Sequence, residues 1–400
     1  NQGGCSGQAD AVTIYFNQPA TTGTSTYDYL WGGLIGTEWS NAENWYQWTA
    51  VGNGYKWLRP SSSPNAETCM VYFNATDGSC LGSNNAMAVN STIADMNISS
   101  GATLDLGSSI IDVNGNLSNL GTLNAGTSTI TFSGTTNQTI TDNELTLNNM
   151  VLNKNSGDLN LNSAMTISGT LTMSKGNIVN GTNVLTIGTS SSSPGAISHI
   201  SGSVTGKLRR YFADGSSSSK FFPIGTASKI RDVTVAFPTT PGTDQYLIAS
   251  YNAGYAQLSG ANLYAGLPLT TADGQLIQNY DDEGYWEINP GSTATVGGNI
   301  YSSDINSTAY NVTIHMNGLT GADGVTSMDR DKVRLIKSAG PGHTSWEALT
   351  HGTIGGTDAN NDYTVTASGS GFSFFGAGTE DGNALPVELV SFNANCNDGV

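Results

Sequence analysis

An all-β fold is predicted from three observations on this chain of 400 residues. Residues 93–190 are built almost entirely of Thr, Ser, Asn, Gly, Leu and Ile, set out as short runs with strand alternation and punctuated by Gly and Asn. Within that stretch Gly-Thr-Leu recurs at 121–123 and 169–171, with a close variant at 101–104, which makes a loose repeat of about 20 residues. No segment of the chain has the apolar period of an amphipathic helix. A repeat too small to bury its own face must stack on its neighbours, so residues 93–194 are expected to form a parallel β-helix-like solenoid.

The N-terminal 1–92 segment holds five of the seven tryptophans and two strand-like runs, Val12–Phe16 and Cys69–Phe73. Trp31, Trp39 and Trp45 are expected to fill a core that caps the first solenoid turn, because an uncovered solenoid end exposes apolar surface and strand edges. Trp48 and Trp57 are the candidates for glycan or partner contact, since exposed indoles form platforms for sugar rings. The solenoid is expected to end at the low-complexity Ser190–Ser193 and Pro194. A β-domain over 195–272 follows, with strands at Asp232–Phe237 and Tyr246–Ser250. An antiparallel sandwich is expected over 273–382, with strands at Gly284–Ile288, Tyr310–Ile314, Lys332–Ile336 and Asp362–Thr366. Residues 383–400 form an extended segment in which Leu385, Val387, Leu389 and Phe392 supply the apolar side chains of an assembly strand.

Composition limits the partners. Charged residues make up 11% of the chain, against about 25% in ordinary soluble domains. Thirty-one acids against 14 bases leave a net charge of −17, which repels nucleic acid and anionic membrane surfaces. No apolar run approaches the roughly 20 residues that span a bilayer. The chain starts at Asn1 rather than Met, read here as the start of a processed, secreted form. Cys69 and Cys80 lie across a Gly-containing turn and are expected to form a disulfide. Cys5 and Cys396, near opposite ends, pair with each other, with a neighbouring subunit, or not at all.

Patterns that carry chemistry are sparse. The nucleophile elbow, the phosphate loop, His-Glu-x-x-His and Cys-x-x-Cys do not occur. His199, His315, His343 and His351 are scattered and read as surface or hydrogen-bonded histidines rather than as metal ligands. Asp358, Asn360 and Asp362 space oxygens two residues apart, as calcium loops do; a turn that caps its own backbone accounts for them equally. Calcium is the one cofactor this pattern admits. Asp281, Asp282 and Glu283 read as a solvated acidic loop. A β-helix lyase or hydrolase needs carboxylates, or a Lys or Arg base, gathered on one face. Here Asp95, Asp105, Asp112, Asp142, Glu144 and Asp158 are spread through the repeats with no Arg among them, so no enzyme is expected.

Several segments, in order, resemble the large secreted surface proteins that Bacteroidetes export by the type IX secretion system. Trp39-Ser40-Asn41-Ala42-Glu43-Asn44-Trp45 is similar to an element that opens many such ectodomains, and the Gly-Thr-Leu repeats to their solenoid. Phe222-Pro223-Ile224-Gly225 with Arg231-Asp232-Val233-Thr234, and then Tyr285-Trp286-Glu287-Ile288, resemble the modules that follow. Leu385-Pro386-Val387-Glu388-Leu389-Val390-Ser391-Phe392 is similar to the segment before their C-terminal sorting region, which the resemblance would place after Val400. The resemblance implies a secreted or cell-surface, adhesin-like protein that meets the type IX export machinery and has no catalytic residues. The expected function is structural or adhesive: a filament subunit joined head to tail to copies of itself, or an adhesin stalk. A carbohydrate-binding surface protein is the alternative.

Overall fold

The structure is a computed structural model and describes residues 28–31, 39–51, 54–66, 70–73, 91–213, 217–239, 245–254, 266–280, 283–292, 295–296, 299–300, 305, 308–318, 330–338, 345–357 and 362–379. It is all-β, 59% strand and 3% helix, and contains a β-solenoid of about six turns.

Each turn contributes a strand to two or three faces. The first face stacks Ser91–Ile93, Ile110–Val113, Thr129–Phe132, Asn149–Asn153, Thr170–Lys175 and Ala196–His199 as one six-stranded parallel sheet. The second face stacks Met96–Ile98, Leu117–Asn119, Gln138–Thr141, Leu159–Leu161, Ile178–Ile187 and Val204–Tyr211. The third face pairs Thr103–Asp105 with Thr122–Asn124, and Leu145–Leu147 with Met165–Ile167. Met165–Ile167 then pairs with the second half of Ile178–Ile187, so that this ten-residue strand serves two faces.

Alternation explains why these runs become strands. Ile111, Ile130, Met150 and Leu171 occupy one register row and are fully buried, as are Val113, Phe132, Leu152 and Met173 in the next. Each such side chain contributes about 1.5–3 kcal/mol of burial, a total no single turn could reach alone. Corners are closed by glycine where backbones nearly touch. Gly202 has φ +89, and a Cβ there would sit 1.8 Å from the Gly176 carbonyl of the turn before.

Polar side chains join one turn to the next. Asp95 accepts from the Asn116 amide at 2.5 Å, Asp112 from the Ser133 hydroxyl at 2.5 Å and Asp142 from Asn119 Nδ2 at 2.5 Å. Asp158 accepts from Asn177 at 3.2 Å, and Asp105 from Asn124. Inside the corner of the fourth turn Lys154 is only 2% exposed. Its ammonium donates to the Gly134 carbonyl at 2.7 Å, the Thr136 carbonyl at 2.8 Å and Gln138 Oε1 at 2.7 Å. Burial lowers its pKa to about 8, partly opposed by the charge of Asp158.

Parallel pairing runs past residue 194 through Ala196–His199 and Val204–Tyr211, so the serine run at 190–193 is a corner and not the end of the solenoid. Serine-rich composition marks a solvated turn but does not say whether the next strand stacks.

On the N-terminal side, Asp28–Trp31 runs antiparallel to Trp45–Val51 and parallel to Met70–Phe73, which is parallel to Met96–Ile98. The second face therefore continues into the aromatic segment. Trp31 and Trp39 meet Trp45 edge-on, with centroids 5.0 and 4.6 Å away, and all three belong to the cluster that fills the solenoid. Two of the rings are tied down by hydrogen bonds: Trp39 Nε1 donates to the Pro64 carbonyl at 3.1 Å and Trp45 Nε1 to the Trp39 carbonyl at 2.9 Å.

On the C-terminal side Val204–Tyr211 is parallel to the solenoid on one edge and antiparallel to Gln245–Ala253 on the other. That strand pairs with Gly284–Ser292, which meets Phe374–Thr379, itself paired with Val333–Ser338. A second antiparallel sheet orders Ser218–Phe222, Val233–Phe237, Tyr310–His315, Tyr363–Gly369 and Thr350–Gly356. Both sheets draw strands from either side of residue 272, so the expected boundary at 272/273 separates no hydrogen-bonded unit. The strand runs are where the sequence suggests, but strand pairing over such distances leaves no local signal. Arg231 fastens the region from within. At 1% side-chain exposure it donates to Glu283 at 2.9 Å, to the Met316 carbonyl at 3.3 Å and to the Asn317 carbonyl.

Candidate functional site

A groove of about 370 Å³ crosses the third face of the last solenoid turns, in the size range of ligand clefts. Its floor follows from register. Thr146, Thr166, Thr186 and Arg209 are successive ladder partners and so share one outward row. Glu144, Ala164 and Val184 line the row beside it.

The groove deepens along its length. Thr146 is exposed, Thr166 half-buried and Thr186 buried, because Val204–Tyr211 and Gln245–Ala253 build up the wall at the far end. There the Arg209 guanidinium lies over the Tyr246 ring at 4.5 Å, with its buried Nε lacking an acceptor. At the shallow end Glu144 holds φ +67, a left-handed conformation uncommon for a non-glycine residue. One carboxylate, three hydroxyls about 4.8 Å apart per turn and one guanidinium make a row of donors and acceptors. This arrangement can hold an extended polar ligand.

Five of the six solenoid acids named from sequence are not brought together. Asp95, Asp105, Asp112, Asp142 and Asp158 each hold a donor of a neighbouring turn, and Glu144 alone turns to the groove. The signal was present in the sequence for four of them: Asp105, Asp112, Asp142 and Asp158 each have the Asn or Ser side chain that bonds them 19 to 23 residues away. The threonine row was readable in the same way.

Trp48 is placed directly opposite Trp57 in the hairpin of Trp45–Val51 with Gly54–Leu58, so register brings the two candidate contact residues together. Asp362 accepts from His315 Nε2 at 2.5 Å, while His315 Nδ1 meets Asp232 at 2.7 Å. The carboxylate that sequence offers to calcium is thus shared with an imidazole, whose pKa is raised, chiefly by the Asp232 hydrogen bond. Asp358 and Asn360 lie outside the described residues, as do Cys5, Cys69, Cys80 and Cys396 and the assembly residues Leu385, Val387, Leu389 and Phe392. Glu283 of the acidic loop is engaged by Arg231 and by Lys229 at 3.5 Å. No group of three or more His, Cys, Asp or Glu suited to a metal ion occurs among the described residues. Among the described residues no helix is long and apolar enough to cross a membrane.

No family model, curated protein or solved structure matches the chain. Function is therefore read from geometry.

Proposed function

We propose that this chain is a non-catalytic structural or adhesive element of an extracellular surface, a stalk that carries load or presents a binding face. The observation that carries the reading is continuity: one 18-stranded sheet and one hydrophobic cluster, from Tyr29 to Ala377, run through all three regions. A shared core favours a stiff body over jointed modules, whose interfaces would permit relative motion. In this reading the aromatic segment caps the solenoid, and the two antiparallel sheets form one sandwich. The resemblance to type IX cargo supplies the secreted setting. The assembly strand is Leu385–Phe392, added to the next copy; the outer edge of Ala196–His199, last strand of its sheet, is the edge on which it pairs.

Negative-stain microscopy of the full chain and of a chain lacking residues 383–400 tests this. Ordered fibres from the full chain, and isolated rods from the shortened one, are the expected result. Equal polymerisation of both overturns the strand-addition step. Isolated rods from both favour the second reading, a carbohydrate-binding surface protein, which rests on Trp48 lying opposite Trp57 and on the Thr146–Arg209 groove.

A further inference from the structure

Two cations point into the gap between the solenoid's last strand and the second antiparallel sheet, and no carboxylate among the described residues pairs with them. Arg210 shares register rows with Ile187 and Leu247, both fully buried. Ladder partners point to the same side of a sheet, so the Arg210 side chain enters the core, where it is 4% exposed. Lys220 lies opposite Val235, also fully buried, and faces inward from Ser218–Phe222, the outermost strand of its sheet. Arg210 Nη1 donates to the Phe221 carbonyl at 2.8 Å, which ties the two strands together beside Lys220.

The remaining donors go unused. Arg210 Nε is sealed from solvent with no acceptor. Lys220 has neither a hydrogen bond nor an ion pair among the described residues. Burial lowers Arg210 to about 10; burial and then the charge of Arg210 lower Lys220 to about 8. Lys220 is half-buried and Arg210 buried, and the other buried cations described in this region are treated differently: Arg231 has Glu283, Arg334 has Asp273 at 2.8 Å and Lys337 has Glu347 at 2.7 Å. A chain with 31 acids and 14 bases does not lack carboxylates to offset the pair. Unpaired buried charge is costly, and a guanidinium's planar fork with an adjacent ammonium is the donor set that takes two oxygens of one anion.

We propose that Arg210 and Lys220 form a binding site for a small oxyanion, a carboxylate, sulfate or phosphate group, entering at the edge strand Ser218–Phe222 and bridging the solenoid to the sheet beside it. The site lies apart from the third-face groove and does not depend on the stalk reading. It explains why a cationic pair sits unneutralised at the junction: the anion completes it.

The test uses the full chain with sodium sulfate, phosphate and acetate, each against sodium chloride at matched ionic strength, followed by calorimetric titration and thermal melts. At least one oxyanion binds the wild type saturably. Lys220→Met weakens that binding at least tenfold, and Lys220→Arg restores it. Comparison of acetate with sulfate and phosphate tells a planar from a tetrahedral preference. Sulfate stabilises most proteins by exclusion from their surface, an effect that Lys220→Met leaves intact. Parallel shifts of wild type and Lys220→Met in every salt, with no saturable heat, therefore overturn the proposal.

Discussion

The solenoid and the antiparallel region solve one problem, the burial of polar groups in a β-rich body, by different means. In the solenoid the five aspartates are held by amides and hydroxyls of a neighbouring turn, and Lys154, buried inside a corner, rests on two carbonyls and an amide. In the antiparallel region the same work is done by ion pairs: Arg231 with Glu283, Arg334 with Asp273, His315 between Asp232 and Asp362. The difference follows from symmetry. A stacked repeat brings like positions together, and like charges in a column would repel, whereas neutral Asn, Ser and Thr satisfy one another and an occasional Asp. Antiparallel sheets bring together residues distant in sequence and free in type, so opposite charges can be set face to face.

The comparison can be broken most forcefully in the solenoid core. Phe132→Ala should cost about 3–5 kcal/mol, because the rigid turns above and below cannot close the cavity. Urea denaturation followed by both tryptophan fluorescence and far-ultraviolet circular dichroism reads it. Coincident shifts mean that solenoid and flanks unfold as one unit, and separated transitions would divide them.

Next comes the ion-paired region. Arg231→Met leaves Glu283 with the more exposed Lys229 and removes the donor to two carbonyls, and a loss of about 3 kcal/mol is expected in the same denaturation. A loss below 1 kcal/mol would show that water replaces the guanidinium at little cost.

The smallest effect separates the regions by sign. The raised pKa of His315 means that its stabilisation is complete below the unfolded value near 6.5 and is lost as pH rises through the folded one. Lys154 behaves oppositely. Its folded pKa is lowered to about 8, so between there and 10.5 the unfolded chain binds more protons and stability rises with pH, by at most about 1.4 kcal/mol per unit. Thermal melts of wild type against His315→Gln should converge as pH rises above neutral. Against Lys154→Met, the wild type should gain from pH 8 towards 10. The same trend for both variants would remove the distinction.

The solenoid was legible because its signal is local and repeated: Thr129–Phe132 and Met165–Ile167 appear as strands where alternation places them. Lys154 was not, since a lysine inside a neutral repeat reads as a solvated one until the corner folds around it. The groove was half legible. The threonine spacing marks a column, but only Arg209 and Tyr246, delivered by strands outside the repeat, turn that column into a trough. Arg210 and Lys220 are ten residues apart and look like ordinary surface charge; register alone turns both inward.

The strand Ile178–Ile187 spans the second and third faces without a break, with a bulge at Gly181 where earlier turns have separate strands, and on it rests Val204–Tyr211, which ends parallel pairing and begins antiparallel pairing. The adaptor thus sits wholly at one end. Turns added or removed before it would leave both termini of the stack unchanged and alter its length by about 4.8 Å each. The middle of this molecule is a ruler whose number of divisions selection can set without redesigning what it separates.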